Sequence, residues 1–397
     1  MESPIELESA IKKLQDNTKP QTKTQALPLE SAQNYHIAQD LYAPIDVPSF
    51  DRSAVDGYAI RSDQTINVPK KLNVEAQIMA GDNYTEPIDT TQTVRIMTGA
   101  QIPLGFDAVI RQEHTDQNDN QVEIYQTMSP WENYRKKGED IKKGSLVIKR
   151  YTKLTAIHIG ILASMGINKI EVLQPLKAGV ISSGTELADI EAPLAPGQIY
   201  CSNRYMIQAR LKDLNTDVVV SKQNRDNIQE FCRLIEQSVS KVDILITTGA
   251  VSVGKKDIMQ DVMKELGATK LFWKIDMRPG TPVMASVYKG TLILSLSGNP
   301  VAALTTFELL FRPMLASFLQ DPSYICEPKK AILTDDFKKE SKQRRFVRAY
   351  TKDGRVSLGN GDFSSILSTM LDCNCFIDIK ADTPKIKSGQ EVDIVLL

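Results

Sequence analysis

The chain has 397 residues, too many for one ordinary core, so two to four domains are expected. Lys and Arg number 48 against 49 Asp and Glu, for a net charge of −1; this excludes a broad nucleic-acid or anionic-membrane surface and leaves room for a local basic pocket. No apolar run reaches the ~18 residues of a membrane span, and five scattered cysteines without a C-x-x-C pair read as reduced thiols of a cytoplasmic protein.

Residues 1 to about 40 read as mostly helical and polar. They open on an amphipathic helix carrying Ile5, Leu7, Ile11 and Leu14, with no secretion-signal pattern. Near residue 44 the texture changes to "APIDVPSFDRSAVDGYAI", where prolines and Asp56-Gly57 mark turns. "VEAQIMAG", "TVRIMTG", "DAVIRQE" and "QVEIYQ" follow as short strands of a small β-rich domain. For the basic stretch "ENYRKKGEDIKKGSLVIKR" a solvated charged hairpin is one reading and a functional basic segment the other. "TAIHIGILASMG" is then a helix with Thr155 as N-cap and Gly166 as stop. His158 on it is read as a packed residue. With His36 and His114 far away, a His-rich zinc site and a Ser-His-Asp hydrolase are both disfavoured.

From about 176 strands and helices alternate, which predicts a doubly wound, mostly parallel α/β domain. "AGVISSG", "DVVVSK" and "VDILITTG" are its strands. The helices between them take Ser202 and Asp226 as caps, and the last ends at Gly267. A hairpin turning at Lys289-Gly290 leads to a long helix with Pro300 in its first turn. Five short strands from about 325 form a second β domain. The expected division is 1–45 with 141–174 as a helical and linker domain, 46–140 as the small β-rich domain, 175–322 as the α/β domain, and 323–397 as a C-terminal, barrel-like β domain.

In open α/β sheets ligands sit beyond the carboxyl ends of the strands. Five loops are expected on that edge: "SSGTEL" with Ser183, Gly184 and Glu186; "QNRDN" with Asp226; "TTGAVSVGKKD" with Thr248, Gly249, Ser252, Gly254 and Asp257; "DMRPGTP" with Arg278; and "LSGNP" with Ser297, Gly298, Asn299 and Pro300. Small residues let backbone N–H groups close on an anion. Lys255, Lys256, Lys274 and Arg278 can neutralise phosphate or oxyanion charge. Glu186 and Asp257 can hold Mg²⁺, which takes one or two carboxylates plus phosphate oxygens. In the small β domain Asp56 and Thr98 are more polar than two short turns require.

These stretches together resemble the molybdopterin molybdenumtransferases (MoeA and the gephyrin E domain) over nearly the whole chain. "DRSAVDGYA", "RIMTGAQIP", "GQIYCSNR", "FWKIDMRPGTP", "LSGNPVAALTTFELLFRP" and "SSILSTMLDCNCF" carry the resemblance with the loops above. It implies an enzyme that takes adenylylated molybdopterin and molybdate, uses Mg²⁺, releases AMP and inserts molybdenum. It implies an α/β domain of the molybdopterin-binding, MogA-like kind. It also implies a cytoplasmic homodimer whose site lies between subunits, with molybdopterin adenylyltransferase and apo-molybdoenzymes as partners. Family positions of functional weight match Asp56, Thr98, Glu186, Asp226, Asp257, Lys274 and Pro300, with Arg348 and Ser368 at the places of molybdate contacts. Four departures stand out: Gly249-Ala250 for a double glycine, "RPGT" with Arg278 and Thr281 for "KPGK", Ser297 for a proline, and Cys201-Ser202 where an aspartate is common. An adenylyltransferase would resemble the α/β domain alone. A catalytically impaired molybdopterin-binding or scaffold paralogue is the alternative that "RPGT" leaves open, and molybdate against tungstate is not legible.

Overall fold

The structure is a computed structural model, and the residues described are 3–116, 120–251, 258–359 and 365–397. The chain forms two compact units, one of residues 26–33 and 37–171 and the other of residues 1–25, 34–36 and 172–397.

The smaller unit is built on a sheet in the order Ala108–Arg111, Gly57–Ile60, Thr93–Ile96, Lys70–Ile78, Gln121–Ile124, Thr115–Asp116. Side chains alternate across strands, so the sheet buries two faces. Ala59, Val94, Ile96 and Val109 pack on one; Tyr58, Ile60, Leu72 and Ile110 pack on the other. The expected helix is Ala156–Ser164. The Thr155 amide donates to His158 Nδ1 at 3.1 Å and the His158 amide donates to Thr155 Oγ1 at 3.5 Å, a reciprocal cap that makes His158 structural.

Two expectations are corrected. The basic stretch is exposed but is no hairpin, because Tyr134–Arg135 pairs with Arg52–Ser53 and Leu146–Ile148 pairs with Leu41–Tyr42. The first forty residues hold one helix, Leu7–Asp16, followed by strand Thr24–Pro28 and a short 3-10 turn. Pro20 and Pro28 interrupt the helical pattern there, since proline lacks the N–H a helix interior needs.

The larger unit carries a sheet in the order Asp217–Asn224, Lys177–Ser183, Ile244–Thr248, Thr291–Leu296, Met284–Tyr288, Thr269–Trp273. The first four strands are parallel, and the hairpin strand Met284–Tyr288 runs against them. Its turn has Lys289 at φ 50 and Gly290 at φ 82, the left-handed pair that matches strand twist. The edge strand Thr269–Trp273 is antiparallel to Met284–Tyr288 and therefore points with the first four. All five suspected loops thus leave the sheet on one edge.

Helix Pro300–Leu319 is apolar all round because it is enclosed. Leu7 and Leu14, sheet residues Leu294 and Leu296, and Phe346, Phe376 and Val395 share its core. Among the described residues it is the one helix long and apolar enough to cross a membrane, and 83% of that window is buried in the protein. Its buried carboxylate, Glu308, accepts two bonds from Arg210 at 2.7 and 3.2 Å, which offset the desolvation of the charge.

Strands Lys329–Leu333, Arg344–Lys352, Arg355–Leu358, Cys375–Ile379 and Glu391–Leu396 close into a barrel, since Arg344–Lys352 pairs on both sides. Met277–Arg278, from the loop after the sheet's edge strand, adds to the same barrel strand beside Arg344 and Arg345.

Candidate active site

The strand-end loops enclose a cavity of about 620 Å³ lined by Ser183, Gly184, Glu186, Asp226, Thr248, Gly249, Gly298 and Pro300. Close backbone approach shapes it. Gly249 has φ 81, and a Cβ there would stand 2.1 Å from the Ser183 carbonyl oxygen, so only glycine fits. Ala250 follows at φ 59, a left-handed conformation that suits the second glycine expected there better than alanine.

Asp226 was expected to cap the helix after it, and the structure corrects this. The cap is Asn227, whose side chain accepts from the Glu230 amide at 2.9 Å. Asp226 has φ 55, and its carboxylate accepts from Ser183 Oγ at 2.7 Å and from the Thr185 amide at 3.2 Å. Glu186 is exposed at the lip, its oxygens 2.8 and 2.9 Å from where a Gly184 Cβ would be. The exposed Glu186 carboxylate is the kind of ligand Mg²⁺ takes, a hard cation that completes its shell with water and phosphate oxygens; Asp257, the other carboxylate expected for the metal, lies outside the described residues. Among the described residues no group of three or more His, Cys, Asp or Glu forms a closed protein cage. Ser202 is likewise the first residue of its helix and not the cap, a place that falls to Cys201.

A second cavity, of about 410 Å³, lies across the same loop: Ser297 and Asn299 line it, while Gly298 and Pro300 line the first. Arg278, Arg345 and Arg348 also line it. The Arg278 Nε–H donates to Gln343 Oε1 at 2.7 Å, and Gln343 in turn donates to Asp276 at 2.7 Å, so the guanidinium is held through a relay. Arg348 is buried and donates to Thr369 Oγ1. Burial lowers its pKa from the usual arginine value, yet the group stays a cation at neutral pH. Thr281 turns its hydroxyl to the Met277 carbonyl at 2.6 Å, which closes the turn beneath Arg278.

In the smaller unit Asp56 and Thr98 do meet. The Thr98 amide and hydroxyl both donate to Asp56 Oδ1 at 2.7 Å, and these bonds hold the Asp56 carboxyl below the usual aspartate range.

Not every expected residue joins a cavity. Lys274 ends the edge strand at φ 70, is buried, and sets its Nζ 3.7 Å from the Trp273 ring centre; it lines neither space. Ser368 is exposed and lines neither, and its neighbour Thr369 makes the contact with Arg348. Ser252, Gly254, Lys255, Lys256 and Asp257 lie outside the described residues. Arg345 and Asn203 are among the lining residues that escaped the sequence reading. Arg345 was hidden among the charges of "QRRFVRAY", although its nearness to Arg348 on one strand was a signal. Asn203 stands in "CSNR", one of the quoted resemblances.

The MoeA N-terminal region model (domains I and II) matches residues 5–166, the probable molybdopterin binding domain model matches 179–317, and the MoeA C-terminal region model (domain IV) matches 330–397. A molybdopterin molybdenumtransferase of Haemophilus influenzae is 35% identical over 397 residues, covering 98% of each chain. One of Bacillus subtilis is 33% identical over 409 residues, covering 100% of this chain and 94% of its own. The crystal structure of the molybdopterin biosynthesis moeA protein from Pyrococcus horikoshii OT3 superimposes with a TM-score of 0.86 at 28% identity over 100% of both chains.

Proposed function

The chain belongs to the molybdopterin molybdenumtransferase family, and from that premise we propose how its two cavities divide the work. The protein is a transferase that inserts molybdenum into molybdopterin in molybdenum cofactor biosynthesis. The observation that carries the division is the shared loop Ser297–Pro300, with carboxylates on one side and three arginines on the other. The carboxylate side holds the phosphates of adenylylated molybdopterin, and the arginine side holds molybdate.

Molybdate is a dianion, and planar guanidinium groups grip such oxyanions through two parallel N–H bonds. Arg278 keeps the charge of the family's lysine. Thr281 removes a second charge, and Arg345 and Arg348 stand at the same cavity. Nothing in the structure favours a catalytically impaired paralogue.

On the phosphate side, Mg²⁺ bound at Glu186 would neutralise charge on the phosphoanhydride whose cleavage releases AMP. Asp257 is the second carboxylate proposed for the metal. Ser183 and Thr185 hold Asp226 at the cavity wall. Gly249 and Gly298 keep the backbone close enough for N–H groups to meet phosphate. Lys274 is proposed to reach the anion only after leaving the Trp273 ring. Asp56 and Thr98 are proposed to complete the site from the partner of a homodimer. Supply by a molybdopterin adenylyltransferase, delivery to apo-molybdoenzymes and a cytoplasmic location are part of the same proposal.

The test is incubation with adenylylated molybdopterin and Mg²⁺, with and without molybdate. Molybdate-dependent AMP release with molybdenum retained on the pterin is expected. Binding without AMP release would overturn the reading.

A further inference from the structure

Among the described residues that line the carboxylate-side cavity, one buried side-chain polar atom has no partner. Asn203 lines this cavity and is 7% exposed. Its Nδ2 donates to the Gly298 carbonyl at 2.8 Å, which settles the amide's orientation, since only the NH₂ end can donate. Its Oδ1 accepts no hydrogen bond. A buried acceptor left unmet is costly, and sites of this kind are filled when a ligand brings the donor.

The same residue stands in the first turn of helix Ser202–Asp213, 12 residues long, whose N-terminus opens into the cavity. Cys201 occupies the cap position and makes no side-chain capping bond. The first amides of the helix are therefore left for an anion, which the helix dipole also favours.

We infer that Asn203 is a specificity-determining residue for the nucleotide half of the substrate. The helix N-terminus takes the nucleotide phosphate, and Asn203 Oδ1 accepts an O–H or N–H of the attached nucleoside, from a ribose hydroxyl or from the exocyclic amine of the base. This rests on the reading of the cavity as the phosphate side. A ligand that offers a second acceptor at that point, or nothing, leaves the oxygen unmet and binds more weakly.

The experiment is calorimetric titration of the full chain, with Mg²⁺, against AMP, 2′-deoxy-AMP, 3′-deoxy-AMP and IMP. One of the three analogues is expected to bind about tenfold more weakly than AMP, and its identity names the donor. In Asn203→Ala the gap should close to within about twofold, through loss of AMP affinity. Equal binding of all four by the wild-type chain overturns this inference and leaves the cavity reading intact. Failure of AMP to bind at all overturns both. The wild-type series decides the matter even where the variant does not fold. In a folded variant, a gap that persists assigns the discrimination to another residue and overturns the inference.

Discussion

The Ser183 hydroxyl donates to the Asp226 carboxylate over 2.7 Å, and this bond ties together the loops of two neighbouring parallel strands at the mouth of the cavity. Asp226 is in the left-handed region at φ 55, which Asn tolerates at less cost than Ala. Asp226→Asn is therefore expected to melt within a few degrees of the parent while kcat/KM for AMP release falls by at least about tenfold. Asp226→Ala should lose stability as well as rate. A fully active Asp226→Asn enzyme would exclude a role for the charge.

Asn227 supplies the contrasting case. It caps the helix Ile228–Val239 and lines no part of the cavity. Asn227→Ala is expected to cost about 1 kcal/mol of unfolding free energy with AMP release unchanged. If its rate fell in step with that of Asp226→Asn, cap and site would be one device.

Much of this edge was legible in the sequence. "VDILITTG" and "AGVISSG" are short apolar runs followed by small residues, and such runs are buried parallel strands whose loops face a ligand. The assignment of Asp226 as cap failed for a local reason. Asp and Asn both suit the N-cap, and in "RDN" composition alone does not choose; the left-handed turn at Asp226 moves the cap one residue on. That Thr369 rather than Ser368 meets Arg348 was not legible, because the stretch has no periodicity. The pairing of Met277–Arg278 with the barrel was not legible at all, because a two-residue strand leaves no alternating pattern.

Ala250 carries a conformation that costs an alanine roughly 1 kcal/mol. Ala250→Gly is expected to gain a fraction of that in urea unfolding, because glycine's greater freedom in the unfolded chain offsets part of the relief. A loss of stability would show that the alanine methyl packs usefully in its present place.

Arg345 faces the second cavity with Arg278 and Arg348. Arg345→Ala should raise the molybdate concentration for half-maximal AMP release about tenfold, with AMP affinity unaltered. An equal rise in both would mean that the two cavities are not separate in function.

Asp378 sets an acid limit. Burial alone would raise its carboxyl, but Arg344 donates two bonds, at 2.8 and 2.7 Å, and the net effect holds it below the usual aspartate range. A group depressed in the folded chain contributes stability above its unfolded value, about 3.9 for Asp. That contribution is lost as pH falls through the lower folded value. Unfolding free energy should therefore drop below about pH 4. Asp378→Asn should be less stable at pH 7 and show a shallower acid decline. Parallel declines in the two proteins would place the sensitivity elsewhere.

Arg278 is made before its strand partner Arg345. During synthesis the carboxylate-side cavity is complete once the long helix has emerged, whereas the arginine side waits for the barrel. A nascent or truncated chain ending before Arg344 would own a nucleotide pocket without its oxyanion counterpart. On the proposed division of the two cavities, translation completes the oxyanion side of a chain only after its nucleotide side.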